Sequence, residues 1–253
     1  MKSYVVITGA SSGIGYEAAK SFAEIGKHLV LVARRMERLE MLKQEIQKEH
    51  PNLDVVCISK DLSILANTYE LYEEVKKYKV EVWINNAGFG HYGLTGQQSM
   101  EKIEDMLHLN IDALTILSSL YVRDYADVAG AQLINISSVA GYVIVPRAIA
   151  YCATKFYVSA FTEGLGWELK ARKAKMKAKV LAPAATLTEF AQIANNVDYY
   201  DHDKGFGVYH TSQEMAQFLL ELYHSDAMVG MVNRDTFEFR LSNGMMDYAR
   251  EVE

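Results

Sequence analysis

Residues 4–15 have the sequence YVVITGASSGIG, in which an apolar run rich in β-branched residues leads directly into a glycine-rich turn. Gly9 can take backbone angles that a side chain would forbid, Gly13 lets the chain approach a ligand closely, and Gly15 lets a helix pack on the strand. A pyrophosphate would then lie against the free amides at the start of that helix. Since any tight strand-to-helix turn needs some glycine, the segment favours a phosphate-binding loop only in a chain of matching architecture.

The rest of the chain has that architecture. Apolar runs predict strands at 4–8, 28–33, 54–59, 80–85, 131–137, 177–182 and 227–232. Amphipathic stretches predict helices at 13–26, 35–49, 64–77, 99–126, 151–173 and 212–224. This alternation predicts an α/β fold, a doubly wound parallel sheet of about seven strands with helices on both faces. Ligands of such sheets bind beyond the carboxyl ends of the strands.

The composition limits the classes of function. The 253 residues, half of them hydrophobic, suit one large domain, and because no linker is visible we predict a single domain over 1–253. The net charge of −6 argues against nucleic acid as a partner. The basic run KARKAKMKAK at 170–179 could be a phosphate or membrane patch, but it closes a predicted helix, where cations suit the dipole. We expect it to be solvated.

The cysteine pattern and the apolar runs predict where the protein works. Cys57 and Cys152 lie far apart, which indicates neither a disulfide framework nor a metal site, so no metal is expected. The N-terminus has no apolar signal segment, and the chain has no window of about 18 uncharged apolar residues. The sequence therefore predicts a cytoplasmic protein without a membrane partner.

The segment YCATK at 151–155 places a phenol and an amine four residues apart, which on a helix brings both to one face. Such a pair also arises by chance in chains of this length. It gains meaning from TGASSGIG at 8–15, NNAG at 85–88 and INISS at 134–138. Together these motifs resemble the short-chain dehydrogenase/reductase family, over residues 3 to about 190. The resemblance implies a Rossmann-like oxidoreductase that moves a hydride between a nicotinamide cofactor and a carbonyl or alcohol.

The resemblance assigns four catalytic residues, Asn110, Ser138, Tyr151 and Lys155, with Tyr151 thirteen positions after Ser138 as is customary in the family. Tyr151 would be the general acid/base, and Lys155 would lower the phenol pKa from its ordinary value of about 10 while holding the cofactor ribose. Ser138 would donate to the substrate oxygen, or else satisfy local backbone. Asn110 would hold a water that relays protons from Lys155, or else be a buried asparagine bonded to backbone.

The expected cofactor contacts lie mostly where the predicted strands end. They are Gly9, Ser11, Ser12, Gly13, Ile14, Gly15, Arg34, Arg35, Asp61, Leu62, Asn86, Ala87, Gly88, Tyr151, Lys155, Pro183 and Thr188. By the resemblance Asp61 meets the adenine, while Asn86 positions either the ribose on the adenine side or the neighbouring strand. Ala184 stands where the family usually has glycine. Either the backbone there takes an angle permitted to alanine, or the nicotinamide loop is shifted.

The choice of cofactor depends on LVLVARRMERL at 29–39. Dinucleotide folds that bind NAD usually carry an acidic residue at the end of the second strand, and such a carboxylate repels a 2′-phosphate. Here Arg34 and Arg35 follow Ala33, so the sequence predicts that NADP(H) is preferred and NAD(H) possible. The alternative is that the arginines only begin a solvated helix, although helix starts favour acids.

Residues 189–211 correspond to the family's substrate lid, and we call this segment the lid. Its aromatic residues either line an apolar pocket or anchor the segment to the core, and Phe89, Tyr92, Tyr142 and Val143 are expected to face the substrate. A small-molecule carbonyl or alcohol, moderately apolar, is the expected substrate.

The helices at 99–126 and 151–173 resemble the family's dimer face, which predicts a homo-oligomer, either a tetramer or a dimer. Two other functions stay open. A catalytically idle dinucleotide-binding regulator or scaffold needs only the phosphate loop, and a methyltransferase would leave the Tyr-x-x-x-Lys pair unused.

Overall fold

The computed structural model describes residues 2–248, so Met1 and residues 249–253 of the predicted domain lie outside the described range. The strands of the described chain are β1 Tyr4–Thr8, β2 His28–Ala33, β3 Val55–Ser59, β4 Val80–Asn85, β5 Gln132–Ile136, β6 Lys177–Ala182, β7 Thr186–Leu187, β8 His210–Thr211, β9 Val229–Val232 and β10 Phe239–Ser242. Its α-helices are α1 Gly13–Glu24, α2 Met36–Glu49, α3 Leu65–Val75, α4 Met100–Leu107, α5 Leu114–Tyr125, α6 Ile149–Ala171, α7 Phe190–Asn195, α8 His202–Phe206 and α9 Ser212–His224.

Within residues 2–248, eight of these strands form one sheet in the order β10-β9-β6-β5-β4-β1-β2-β3. Its strands are parallel except β10, which pairs antiparallel with β9, and β7 pairs with β8 in a separate two-stranded sheet. β1 lies between β2 and β4, so the strand order reverses there. The carboxyl ends of β1 and β4 therefore form the crevice where sheets of this kind bind ligands.

Alternation along the strands explains why helices cover both faces. On β1, Val5 and Ile7 belong to one core cluster, whereas Tyr4 and Val6 belong to the other. The first cluster joins α1, α2 and α9 to the sheet, and the second joins α3, α5 and the end of α6. Each large apolar side chain buried in this way contributes about 1.5–3 kcal/mol, so the two cores fix the strand ends that carry the site.

The predicted architecture is confirmed, with eight sheet strands rather than about seven. The additional strand β10 lies at the edge of the sheet, where its side chains are half-buried or exposed. An edge strand of this kind has a weak hydrophobic pattern, which is why the sequence did not predict it. The helix predicted over 99–126 is also divided, because a π-helical segment, His108–Ala113, separates α4 from α5.

The basic run at 170–179 is not uniformly solvated, and in this respect the prediction was wrong. Lys179 lies on β6 and is 1% exposed, with its Nζ donating to the carbonyl oxygens of Leu222 (2.8 Å), Tyr223 (3.0 Å) and Ser225 (2.7 Å). These carbonyls close the end of α9, where a cation is favourable. Burial nevertheless lowers the pKa of Lys179 to about 8. Among residues 2–248, every helix is too short or too polar to cross a membrane.

Candidate active site

A cleft of about 1030 Å³ opens at the carboxyl ends of β1, β4, β5 and β6. Ser138, Tyr151 and Lys155 line it, together with every residue of the expected cofactor set except Gly15. Gly15 lies behind the loop in α1, and Asn110 lies behind the wall that carries Lys155. Tertiary structure thus brings residues from seven separate segments of the sequence into one cavity.

The phosphate loop, residues 8–15, needs glycine at two positions for different reasons. Gly9 has a φ of +69°, a left-handed conformation that favours glycine, and a Cβ there would lie 2.8 Å from Cα of Ala87. A Cβ on Gly15 would lie 2.5 Å from both the Gly9 carbonyl oxygen and Nδ2 of Asn86. Gly15 therefore packs α1 against the loop and Asn86 rather than against a strand. Ser12, the residue before α1, makes no side-chain cap, so the first amides of α1 remain available to an anion.

Asn86 holds the phosphate loop to the end of β4. Its Nδ2 donates to the carbonyl oxygens of Thr8 (2.9 Å) and Gly9 (3.2 Å), while Oγ1 of Thr8 accepts from the backbone N–H groups of Asn86 and Ala87, each at 3.0 Å. Of the two roles expected for Asn86, these contacts favour the one directed at the neighbouring strand. Thr8 is a positioning residue that sequence reasoning missed, because a threonine ending a strand carries no distinctive signal.

Tyr151 and Lys155 lie one turn apart on α6, and both are buried, with exposures of 5% and 6%. Nζ of Lys155 donates to the carbonyl oxygen of Ile136 at the end of β5 (2.8 Å) and lies 5.9 Å from the centroid of the Tyr151 ring. The hydrogen bond fixes the ammonium beside the phenol, as the helical spacing predicts.

The protonation of this pair differs from the expectation in one respect. Burial, followed by the neighbouring Tyr92, raises the pKa of Tyr151, although the Ser138 hydroxyl lowers it. Burial also lowers the pKa of Lys155 to about 8. The predicted lowering of the Tyr151 pKa is therefore wrong, because the cost of desolvating the phenolate outweighs the hydrogen bond from Ser138. At neutral pH the pair is a protonated phenol beside an ammonium.

Ser138 follows β5 and precedes a short 3₁₀ turn, Val139–Gly141. Its Oγ accepts from the backbone N–H of Ala140 (3.1 Å) and donates weakly to the carbonyl oxygen of Pro183 (3.4 Å). The hydroxyl thus satisfies local backbone, as the alternative interpretation has it. It also lines the cleft and acts on Tyr151, so the local bonds orient a group that faces the site.

Asn110 lies in the π-helical segment and is 1% exposed. Its Nδ2 donates to the Phe89 carbonyl oxygen (2.9 Å) and to Oγ1 of Thr154 (3.1 Å), and its Oδ1 accepts from Phe89 N–H (3.2 Å). These are the contacts of a buried asparagine bonded to backbone. A Cβ on Gly88 would meet both Asn110 Oδ1 (3.0 Å) and Lys155 Nζ (3.7 Å), so the two side chains flank the same glycine. The water-relay role stays a prediction.

The two predicted phosphate-binding arginines differ in their surroundings. Nη2 of Arg35 donates to Oγ of Ser11 (3.2 Å), Oγ of Ser12 (3.0 Å) and Oε2 of Glu189 (2.9 Å). The side chain of Arg34 is 72% exposed, and its nearest acidic partner is Asp61, with Nη1 and Oδ2 3.8 Å apart. Arg35 is therefore attached to the phosphate loop, whereas Arg34 extends into solvent.

Sequence reasoning missed two residues that contact or neighbour Arg35, namely Arg38 and Glu189. Nη1 of Arg38, one helical turn after Arg35, lies 3.1 Å from Oε1 of Glu189. Helical spacing could have indicated Arg38, because residues three apart share a face. No local signal indicates Glu189, which is 154 positions from Arg35 in the chain.

In the loop after β6, the backbone at Ala184 takes an angle that alanine permits, which is the first of the two alternatives for this position. Among the described residues, the non-glycine positions with positive φ are Arg147, Lys173, Asn196 and Phe237, so Ala184 has an angle permitted to alanine. Pro183 accepts at its carbonyl oxygen from Val139 N–H (2.8 Å), which holds the loop against the end of β5. A Cβ on Gly13 would lie 3.0 Å from Cγ2 of Thr188, so this loop contacts the phosphate loop.

The lid contains α7 and α8, and its aromatic residues lie in two different environments. The ring of Phe190 packs 5.3 Å from Tyr151 and 6.4 Å from Tyr92, centroid to centroid, so it lines the site. Other lid rings pack on one another, as Tyr200 does on Phe206 at 5.4 Å.

Of the four residues expected to face the substrate, two line the cleft and two do not. Phe89 and Tyr92 line the cleft, but Tyr142 does not, because its hydroxyl donates to the buried carboxylate of Glu163 (2.7 Å). Val143 is likewise outside the cleft lining. In residues 2–248, no group of three or more His, Cys, Asp or Glu side chains is arranged to hold a metal ion.

Comparison with known proteins agrees with this geometry. A family model described as short chain dehydrogenase matches residues 3–197. An uncharacterized oxidoreductase of Staphylococcus saprophyticus is 31% identical over 194 residues, which cover 77% of this chain and 78% of that protein.

Solved structures show the same similarity. A short-chain dehydrogenase from Sphingobium yanoikuyae in complex with NADPH has a TM-score of 0.82 and 30% identity, covering 91% of this chain and 87% of that one. The bulky-bulky ketone specific alcohol dehydrogenase from Comamonas testosteroni has a TM-score of 0.78 and 27% identity, covering 90% and 85%.

Proposed function

This chain belongs to the short-chain dehydrogenase family of oxidoreductases, and on that premise we propose that it reduces a ketone or aldehyde to the alcohol, using NADPH. The observation that carries the proposal is the single cleft in which the phosphate loop and Arg35 lie at one end and Ser138, Tyr151 and Lys155 at the other. A nicotinamide dinucleotide is the cofactor that family membership supports, and the residues present fit such a molecule.

The fit rests on how closely the backbone can be approached. At Gly9 and Gly15 a Cβ would overlap neighbouring atoms, so α1, the loop and the end of β4 lie in direct contact around the uncapped amides of α1. These amides would bind a pyrophosphate, and Lys155 would hold the ribose next to the nicotinamide. When bound, the cofactor supplies the hydride. The other steps belong to side chains of this chain.

Tyr151 donates the proton in the proposed reduction. Because burial raises the pKa of Tyr151, the phenol is protonated at neutral pH and is ready to act as an acid toward the oxygen that gains charge. The ammonium of Lys155 stabilises the phenolate that remains. Ser138, oriented by its bond from Ala140 N–H, turns its hydroxyl hydrogen from the Pro183 carbonyl to the same substrate oxygen, a contact that commonly contributes about 2.7–4 kcal/mol to the transition state.

The surroundings of Tyr151 indicate the substrate class. Phe89, Tyr92 and Phe190 place aromatic side chains along the cleft next to the phenol, and Tyr92 and Phe190 are in ring contact with it. A polar or charged substituent would lose its hydration against these rings. We therefore propose a moderately apolar ketone or aldehyde, which is consistent with the ketone named for the Comamonas testosteroni enzyme.

The preference for NADPH over NADH rests on Arg35. Its guanidinium is already oriented by Ser11 and Ser12 of the phosphate loop, and a charge-assisted hydrogen bond of about 1.5–3 kcal/mol would give roughly a 10- to 150-fold preference. Arg34 is more exposed and is expected to contribute less.

The test is a spectrophotometric screen of NADPH and NADH oxidation with apolar ketones and aldehydes, with the Arg35→Ala variant alongside. We expect turnover with NADPH, and loss of the NADPH preference in the variant. A protein that binds NADPH but turns over no carbonyl compound would favour the idle regulator instead. Equal efficiency with both cofactors in the wild-type protein would contradict the assignment of Arg35.

We also propose that the protein is a homo-oligomer. α4 and α6 expose apolar side chains, including Leu107 at 38% and Tyr157 at 37%, and Tyr157 stacks on Phe161 with centroids 5.8 Å apart. Exposed apolar surface on two neighbouring elements suits a second copy of the chain. Light scattering at micromolar protein measures the mass, and a monomer would contradict the proposal. The cytoplasmic location stays a prediction.

A further inference from the structure

Glu189 joins the lid to the cluster of arginines at the start of α2. Its Oε2 lies 2.9 Å from Nη2 of Arg35, and its Oε1 lies 3.1 Å from Nη1 of Arg38, so each carboxylate oxygen pairs with a different guanidinium. Although burial opposes it, the hydrogen bond and charge of Arg35, with the charge of Arg38, lower the pKa of Glu189. Its side chain is 33% exposed, so the bridge lies at the rim of the cleft.

The ion pair with Glu189 engages the guanidinium of Arg35, which the proposed cofactor would also bind. Nη2 of Arg35 donates both to Glu189 and to the hydroxyls of Ser11 and Ser12. A 2′-phosphate at this end of the cleft would seek the same guanidinium, because both ligands are anions with oxygen acceptors. Two anions cannot share it without repulsion, so binding the phosphate requires Glu189 to move or to give up part of its pairing.

The neighbours of Glu189 connect this exchange to the reacting end of the site. Thr188 contacts the phosphate loop at Gly13, and the ring of Phe190 packs on the ring of Tyr151 at 5.3 Å. Three consecutive residues therefore contact the phosphate loop, the arginines and the catalytic phenol. Glu189 and Phe190 are joined by one peptide unit, and α7 begins at Phe190.

We propose that Glu189 is a cofactor-selectivity residue that competes with the 2′-phosphate for Arg35 and Arg38, so that binding of the phosphate releases the lid at its first residue. This inference rests on the proposed function, because it takes the arginines as the phosphate site. Glu189 then weakens the binding of NADPH and leaves that of NADH nearly unchanged, which moderates the selectivity that the arginines provide.

A different role for the same carboxylate predicts the opposite sign. If Glu189 accepted hydrogen bonds from the ribose hydroxyls of NADH, as acidic residues of dinucleotide folds do, its loss would weaken NADH binding. The two roles are distinguished by one substitution, Glu189→Gln, which removes the charge and keeps the shape.

Calorimetric dissociation constants for NADPH and NADH test the proposal without relying on turnover, and adenosine 2′,5′-bisphosphate against ADP isolates the phosphate. In Glu189→Gln we expect NADPH and the bisphosphate to bind about three- to fivefold more tightly, with NADH and ADP within about twofold of wild type. The matched control is Glu37→Gln, which removes an exposed carboxylate in the first turn of α2 between the two arginines. This control is expected to change the ratio of the two affinities by less than twofold, roughly the effect of one exposed charge.

The proposed competition between Glu189 and the 2′-phosphate requires Arg35 and Arg38. In Arg35→Ala combined with Arg38→Ala, the further change Glu189→Gln is expected to leave NADPH affinity unchanged, because no guanidinium remains to be freed. A ratio of NADPH to NADH affinity that is the same in Glu189→Gln and wild type, with Arg35→Ala still losing NADPH, would overturn this inference alone. Weaker NADH binding in Glu189→Gln would also overturn it, in favour of the ribose role. A wild-type protein without NADPH preference would overturn both this inference and the proposed cofactor.

Discussion

The two walls of the cleft are built differently. One wall, which we call the frame, consists of the phosphate loop, the ends of β4 and β5 and the start of α6, where Tyr151 and Lys155 are almost fully buried. The other wall is the lid, whose contacts with the rest of the chain include the bridge of Glu189 to Arg35 and Arg38, the ring of Phe190 against Tyr151 and a hydrogen bond from Tyr92 N–H to the Ala194 carbonyl oxygen (2.8 Å). In the proposed function, the chemistry depends on the frame, whereas access to the cleft and the moderation of cofactor selectivity by Glu189 depend on the lid.

The strongest test of this division removes the proton donor from the frame. In Tyr151→Phe we expect turnover to fall at least ~10²-fold, because the substrate oxygen loses its general acid. Cofactor affinity should stay nearly unchanged, because Lys155, the residue proposed to hold the ribose, is still present in the variant. Steady-state rates and NADPH titration measure the two effects. Activity close to wild type would exclude Tyr151 as the acid.

The packing of the frame is tested at Gly15. In Gly15→Ala the new Cβ would lie 2.5 Å from the Gly9 carbonyl oxygen, which the backbone cannot easily relieve, so we expect the free energy of unfolding to fall by about 1–3 kcal/mol. The matched control is Gly164→Ala on α6, where a Cβ meets nothing within 4 Å. There alanine should increase the free energy of unfolding by about 0.5–1 kcal/mol. Denaturant titration compares them, and equal effects would contradict this account of the loop.

The protonation of Lys155 gives the next largest effect. Burial lowers its pKa from 10.5 to about 8, so the ammonium is present below that pH and is lost above it. We expect kcat/KM for NADPH in the reduction to be level below pH 8 and to fall about tenfold for each unit above it. Circular dichroism over the same range shows whether the fold persists. A profile that stays level to pH 9.5 in folded protein would mean that the ammonium is not required.

The smallest effect on stability is expected in the lid. In Phe190→Ala we expect the free energy of unfolding to fall by less than about 1 kcal/mol, because the ring is only half-buried, while KM for an apolar ketone rises about two- to tenfold through the lost aromatic contact. The same substitution in the core, Phe22→Ala, should cost about 3–5 kcal/mol. A large stability loss at Phe190 would mean that the lid is part of the frame.

The sequence predicted the frame well because its parts obey local rules. Apolar strand runs, glycines at a strand-to-helix turn and a Tyr–Lys pair at helical spacing all depend on residues close in the chain. The predictions that failed involve distant partners. The sequence predicts that Lys179 is solvated together with its basic neighbours. The three carbonyl oxygens that accept its hydrogen bonds, on Leu222, Tyr223 and Ser225, are more than 40 positions away in the chain.

The site shows the same limit. Tyr142 follows the serine strand and was expected to face the substrate, yet its hydroxyl is bonded to Glu163 on α6, 21 positions away. Likewise, the sign of the pKa change at Tyr151 depends on how much water the fold removes. A cation one turn away predicts a lower pKa, but burial raises the pKa of Tyr151 by more than the Ser138 hydroxyl lowers it.

By itself, the amino-acid sequence determined the order of strands and helices and the glycine-rich turn after β1, and it predicted the residues that we propose as the acid, the cation and the serine of the site. Only the tertiary structure decided which of the arginines is held by the phosphate loop, and that Glu189 of the lid pairs with Arg35 and Arg38. The physical reason is the distance along the chain over which each effect acts. Backbone geometry and side-chain periodicity act over a few residues, whereas charge pairing and desolvation depend on groups that only the folded chain brings together.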